Sequence, residues 1–416
     1  MNNDLQDILF NTFQFKADEC YGKVVVVTGS GRGIGLQAAR AFGLLGARVV
    51  IAERSEQGQQ AADAICRAGG QAHYVQTDVS NSASVRQLVE RTHQAFGPAD
   101  FVVNNAIRIA VAPVSEMDES LWDEILSVNL RGTFLVSKAF LPDLLARKDG
   151  VMMNMISTEA MPGLSAYIAS KQAILGFTQS LALEVGSSGV KVIPFSPGMV
   201  DTPGIRGVAA DLAPHLGMTQ EQFLHISLHA AYDGFMPPEH AGAAAVYLAL
   251  RLASAYHGQA VTGYEVLEQA GLLPSYGGLP AGAEAAAPAN HPSKTGAKDI
   301  ERLADQLREV IAETAREFEK LPGFVRPIAR SGFKSKSGAS LEDWQKSLSA
   351  FQPEGVPQAA PGLIPRLEKL AHYYQGVPAE TARFSKDKDL LAEVQRISAQ
   401  RIALIQSLAQ ALEKAG

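Results

Sequence analysis

From Lys23 onward, apolar positions follow two alternating rhythms. Short unbroken apolar runs, rich in β-branched residues, give way to longer stretches in which apolar residues recur every three or four positions. Ile34, Ala38, Phe42 and Leu45, for example, share one helical face. The short runs predict strands at Lys23 to Val27, Arg48 to Ala52, Ala72 to Gln76, Asp100 to Val103, Val151 to Ile156 and Lys191 to Phe195. A seventh is expected at Tyr264 to Leu267. An unbroken apolar run fits a parallel strand covered on both faces. Repeated strand–helix units predict an α/β fold, a doubly wound parallel sheet with helices on each side. Ala241 to Leu252 reads as an alanine-rich helix. Upstream, Leu5, Ile8, Leu9 and Phe13 fall on one side of a short amphipathic helix, expected to pack on the outside.

The rhythm changes after Pro274. Pro274 to Gly296 is dominated by Pro, Gly, Ala and Ser and reads as a linker. Beyond it only the helical period remains. Ile300, Leu303, Leu307, Val310, Ile311 and Phe318 mark a helix over Lys298 to Lys320, with Thr314 a polar member of its face. Further helices are predicted at Leu341 to Phe351, Pro365 to Tyr374 and Lys388 to Lys414. The last has a near-heptad seam that Arg401 interrupts, which fits a small bundle better than a coiled coil. A chain of 416 residues exceeds one typical domain. The predicted organisation is an N-terminal extension (1–19), an α/β domain (20–275), a linker (276–297) and an all-α extension (298–416).

Two motifs carry chemistry. Tyr167 and Lys171 are four apart, one turn along a helix face. An ammonium near a phenol favours the phenolate, and a phenol so tuned can exchange a proton with an alcohol oxygen. Ser157 lies upstream across a turn containing Pro162 and Gly163, where its hydroxyl can hold the same oxygen. Thr158 competes for that role. Thr28 to Gly35 reads Thr-Gly-Ser-Gly-Arg-Gly-Ile-Gly between a strand and a helix. Such a turn brings bare backbone and a helix N-terminus to an anion, as in Rossmann-type folds. Glu53 ends the second strand about twenty residues later, where an acid bonds ribose hydroxyls and repels a 2′-phosphate.

With the T-G-x-x-x-G-x-G loop and the Tyr-x-x-x-Lys pair in this order, residues 20–275 resemble the short-chain dehydrogenase/reductase family. The resemblance implies a nicotinamide cofactor touching Thr28, Gly29, Arg32, Gly33, Ile34 and Gly35. Asp78 would contact the adenine amino group beside Val79; a helix N-cap is the competing reading of Asp78. Asn104, Asn105 and Ala106 match most of the family's N-N-A-G turn, with Ile107 in place of the glycine, and Ile107 to Val111 are expected to wall the substrate pocket. Pro197, Gly198, Val200 and Thr202 would grip the nicotinamide carboxamide. Asp201 to Pro238 would form the substrate lid. Tyr167 is then the general acid/base. Lys171 lowers its pKa and binds the nicotinamide ribose, Ser157 polarises the substrate oxygen, and Asn129 supports a proton relay through its backbone carbonyl. In the family Arg32 and Arg54 often accompany NADP; solvation alone is the other reading of both. Glu53 favours NAD, with NADP the alternative. The family's Val-Asp-Gly-Gly ending is absent.

Composition changes little. A net charge of −6 gives no reason to expect nucleic acid. Two cysteines, Cys20 and Cys66, suit a reducing compartment rather than a disulfide framework. Met1 to Glu19 does not read as a signal peptide, and no apolar run spans a bilayer. His225 and His229 share a helical spacing but lack a third ligand, so no metal is expected. The expectation is a cytoplasmic homo-oligomeric oxidoreductase moving a hydride between a nicotinamide cofactor and a small secondary alcohol or ketone. The alternatives are an NADPH-dependent 3-oxoacyl thioester reductase, or a cofactor-binding scaffold whose tail recruits a partner.

Overall fold

Seven parallel strands pair in the order β3-β2-β1-β4-β5-β6-β7. They are β1 (Val24–Thr28), β2 (Arg48–Glu53), β3 (Gln71–Gln76), β4 (Phe101–Asn104), β5 (Val151–Met155), β6 (Lys191–Ser196) and β7 (Val261–Thr262). The computed structural model describes residues 4–157, 161–229, 231–274, 297–319, 330, 333–334, 337, 339–349, 356–384 and 388–415. Thr158 and residues 276–296 of the expected linker lie outside them. Contacts divide the chain into two units, Met1–Pro274 and Ser275–Gly416.

In the first unit every residue of β1, β4 and β5 is buried, because helices cover both faces of the sheet. One face packs on α2 (Gly33–Leu44), α3 (Gln57–Arg67), α10 (Pro238–Tyr247) and α11 (Gly263–Gln269) through Ala38, Phe42, Ile65, Val246 and Leu267. The other packs on α4 (Ser82–Ala95), α6 (Gly132–Arg147) and α7 (Ser165–Val185) through Leu88, Phe140 and Leu181. A shorter helix, α5 (Glu119–Leu126), lies against α7. Burying one such large apolar side chain stabilises by about 1.5–3 kcal/mol. The order reverses between β1 and β4. That switch opens a crevice at the carboxyl ends of the strands, where ligands of such sheets bind.

One expectation changes here and another gains detail. The N-terminal segment forms α1 (Leu5–Asp7) and a π-helical turn (Ile8–Thr12), lies against α2 and α10 with Gln6 and Asn11 exposed, and buries Leu5, Ile8, Leu9, Phe13 and Phe15 in the core. Phe13 stands 4.9 Å from the Tyr247 ring, and Arg251 caps Phe15 while pairing with Glu19 at 2.8 Å. The seventh strand is not Tyr264 to Leu267 but Val261–Thr262, and α11 begins at once. A reciprocal cap explains this: Glu265 N donates to Thr262 Oγ1 at 3.2 Å, and Thr262 N donates to Glu265 Oε2 at 2.8 Å. The apolar run then serves as a helix face.

The second unit holds α12 (Ala297–Glu319), α13 (Leu341–Ser349), α14 (Val356–Phe384) and α15 (Lys388–Ala415). The third of these starts well before the expected Pro365. Pro357 sits in its first turn, where a missing N–H costs nothing. The core gathers Ile300, Leu307, Ile311, Trp344, Leu367, Tyr374 and Leu408. Arg401 does not break this packing. Its guanidinium reaches Glu317 at 2.8 and 3.2 Å and Glu313 at 3.3 Å, and stacks over Tyr374. The Tyr374 hydroxyl in turn meets Thr314 Oγ1 at 2.6 Å. Arg401→Met keeps the stem but leaves the half-exposed carboxylates unpaired. It is expected to cost this unit about 1–3 kcal/mol. Denaturant unfolding followed by Trp344 fluorescence, with Trp122 changed to Phe, reads the shift in midpoint.

Candidate active site

The glycine loop leaves β1 with Gly29 at φ +63° and Gly33 at φ +58°, a conformation that disfavours side chains. A Cβ at Gly35 would meet Gly29 O at 2.6 Å, so the first turn of α2 sits directly on the loop. Arg32 precedes that helix with no side-chain capping bond, which leaves the N-terminus suited to a phosphate. Thr28 Oγ1 accepts from Asn105 N at 3.0 Å and Ala106 N at 3.1 Å. Asn105 Nδ2 returns to Thr28 O and Gly29 O at 2.9 and 3.0 Å. The loops after β1 and β4 are thus stitched together across the switch point. This cradle fits a dinucleotide pyrophosphate.

Glu53 lies against the same loop. Its carboxylate accepts Gly31 N at 3.2 Å and Ser55 N at 3.1 Å. Arg32 and Arg54 are exposed, and neither guanidinium has a hydrogen-bond or ion-pair partner among the described residues. Asp78 is not a helix N-cap. Asn81 takes that place, accepting from Ala83 N and Ser84 N. Asp78 Oδ1 instead accepts from Ser80 N at 2.9 Å and Ser80 Oγ at 2.7 Å. Val79 is buried against Gly132.

At the other end of the crevice, Gly198 turns the chain after β6 with φ +94°. Thr202 caps α8 (Pro203–His215), accepting Ile205 N at 3.3 Å. A Cβ on Gly33 would stand 3.3 Å from the Thr202 methyl, so this turn abuts the glycine loop. Val200 is buried and bridges to Met236.

Tyr167 and Lys171 share one face of α7. The Lys171 ammonium stands 5.7 Å from the Tyr167 ring centroid and donates to Met155 O at 2.7 Å. Lys171 is 2% exposed, and burial pushes its pKa down to about 7. Ser157 follows β5, and its carbonyl accepts Gln172 Nε2 at 3.2 Å, which ties it to the same helix. Asn129 is fully buried in a π-helical turn, Ser127–Arg131, a distortion common at functional sites. Its Oδ1 accepts Arg108 N at 2.7 Å. Its Nδ2 donates to Arg108 O at 3.0 Å and Ser170 Oγ at 2.9 Å. Ser170 Oγ donates to Tyr167 O at 2.6 Å. The Asn129 carbonyl already accepts Thr133 Oγ1 at 2.7 Å and the Gly132 N–H.

Three contributors escape a reading of the sequence. Met155 and Arg108 act through their backbones, which no side-chain pattern reveals. Ser170 lies inside the motif, adjacent to Lys171. Of the expected pocket wall, Ile109 and Val111 pack with Tyr167, Leu164, Met199 and Leu212 under α8 and α9 (Gln220–Leu224), whereas Ile107 is 47% exposed. His225 and His229 do not pair. His225 Nδ1 lies 2.9 Å from Glu221 O, and His229 Nε2 lies 3.2 Å from Glu268.

A glycine cradle at the switch point and a tyrosine–lysine pair across the crevice define a Rossmann-type dinucleotide oxidoreductase. The short chain dehydrogenase family model matches residues 23–212. Oxidoreductase UcpA of Escherichia coli K12 is 36% identical over 197 residues, 46% of this chain and 75% of the relative. Short chain dehydrogenase/reductase astE of Aspergillus oryzae is 34% identical over 60% of this chain and 95% of its own length. Among solved structures, a single-residue variant of the actinorhodin polyketide ketoreductase with NADPH superposes with TM-score 0.55 at 31% identity, covering 58% of this chain and 95% of that one. The chain belongs to the short-chain dehydrogenase/reductase family, and it is an NAD(P)-dependent oxidoreductase. No described helix is long and apolar enough to cross a membrane.

Proposed function

We propose that the protein interconverts a secondary alcohol and its ketone, with Tyr167 as general acid/base. The observation that carries this reading is the buried Lys171 beneath Tyr167, held by Met155 O and facing the phenol ring at 5.7 Å. The bound nicotinamide supplies or accepts the hydride. Tyr167 gives the ketone oxygen its proton, or takes one from the alcohol. Lys171 favours the phenolate electrostatically whenever it carries its proton, and binds the nicotinamide ribose. Ser157 holds the substrate oxygen at the end of β5. Asn129 acts as a positioning group: its amide joins the Arg108 backbone to Ser170 and so to the Tyr167 turn. The relay expected through its carbonyl has less support, because that oxygen already accepts two hydrogen bonds. Dinucleotide absorbance followed with a panel of alcohols and ketones tests the activity. No turnover with any of them would refute it.

For the cofactor we favour NAD. Glu53 sets its charge against the Gly31 amide, where a 2′-phosphate would approach. NADP is the second reading, favoured by the exposed guanidiniums of Arg32 and Arg54, without partners among the described residues, and by the NADPH of the polyketide ketoreductase. With NAD preferred, Glu53→Ala is expected to narrow the preference by about tenfold, the scale of one charge–phosphate repulsion. Tighter binding of NADPH than NADH by the unaltered protein would reverse the assignment.

A further inference from the structure

The helix that replaces the expected seventh strand lies against the turn after β6. Gly263 abuts that turn: a Cβ there would meet Pro197 O at 2.5 Å. Tyr264 follows, and its ring fills the space under Gly198, where a Cβ would come within 2.5 Å of Cε2. Its hydroxyl accepts the Met199 N–H at 3.3 Å. One turn further along α11, Glu268 meets His229 Nε2 at 3.2 Å. The His229 ring lies parallel to that of Tyr264, with centroids 5.8 Å apart and planes 7° apart. Ala231 N donates to His229 Nδ1 at 3.1 Å, which makes Nε2 the protonated nitrogen and Glu268 its acceptor. From the lid side, Met236 N donates to Met199 O and Asp201 N donates to Met236 O, both at 2.9 Å. Met199 is thus held at its N–H by α11 and at its carbonyl by the end of the lid.

We propose that Tyr264 is a positioning residue for the nicotinamide half of the cofactor. It fixes the Pro197–Thr202 turn from below, while the Glu268–His229 pair anchors its ring and joins the lid to the same helix. This rests on the proposed oxidoreductase function and on the role that the family resemblance implies for that turn, gripping the carboxamide. The adenine half of the crevice is built on β1, β2 and β3, whereas α11 follows β7 at the opposite edge of the sheet. Removing the Tyr264 hydroxyl therefore loosens one end of the cofactor only.

The test compares the unaltered protein with Tyr264→Phe, which keeps the ring under Gly198 and the stack on His229. Two affinities are measured. One is for NADH or NADPH, whichever binds tighter, by nicotinamide fluorescence. The other is for ADP-ribose or its 2′-phosphate, which lack the nicotinamide. The expected result is about fivefold to tenfold weaker dinucleotide binding, the scale of one hydrogen bond, with the ADP-ribose affinity unchanged. Glu268→Gln, whose amide oxygen still accepts from His229, is expected to match the unaltered protein, whereas Glu268→Ala reproduces the loss. Equal weakening of both ligands would mark a general structural defect and overturn the proposal, as would no change in either. If the unaltered protein binds NAD(P)H no tighter than ADP-ribose, the nicotinamide reading of the turn fails first, and the inference falls with it.

Discussion

Tyr167→Phe is expected to lower kcat by about 10²–10⁴-fold, the range of a lost general acid/base. Affinity for the dinucleotide should stay within about twofold, because only a hydroxyl is removed. The ring remains among Ile109, Val111, Leu164 and Met199, and Lys171 keeps its bond to Met155 O. The packing of α7 is therefore preserved, and folding gives no competing explanation for lost turnover. Two measurements settle the point: single-turnover hydride transfer and equilibrium binding. Near-normal single-turnover rates would remove Tyr167 from the chemistry. Loss of both rate and binding would instead make its role structural.

The parts of this site legible in the sequence are those in which one local rule decides. β1 is four consecutive valines closed by Thr28, and a strand buried on both faces needs little else. The glycines after it are required by backbone geometry: Gly29 and Gly33 have positive φ, and Gly35 packs on the loop. Tyr167 and Lys171 are linked by helical spacing alone. What the sequence does not reveal depends on long-range contacts or on backbone atoms. Arg108 reaches Asn129 through its peptide group, and a peptide group carries no residue signature. In α11, Tyr264 to Leu267 has strand-like composition, while Thr262 and Glu265 form a cap that turns the same residues into a helix. The threonine and glutamate stand at capping-box spacing in the sequence, and the apolar run outweighs them there. At Asp78 the competing reading as a helix cap gives way to Asn81, three positions nearer the helix.

The buried lysine carries a cost in stability that can be measured. Burial lowers the Lys171 pKa from 10.5 to about 7, so the folded chain holds this proton less tightly than the unfolded one. Between those two values unfolding takes up a proton, and stability rises with pH. The penalty is absent above the unfolded value, grows as pH falls, and is complete below about 7. Lys171→Met fills the same space without a titrating group. At pH 7 it is therefore expected to be more stable than the parent by several kcal/mol, on the order of 4 before about 1 is subtracted for the lost bond to Met155 O. The gap should shrink as pH approaches 10. Other groups that titrate in this range, Cys20 among them, are common to both proteins and cancel in the difference. The same variant loses the charge beside Tyr167 and is expected to be nearly inactive, so stability and turnover move in opposite directions, as they do where a site is built on a destabilising group. Denaturant midpoints of the first unit at pH 7 and pH 9.5, set against kcat, read both effects. A variant less stable than the parent at pH 7, with no pH dependence in the difference, would show that the lysine is satisfied in its charged form.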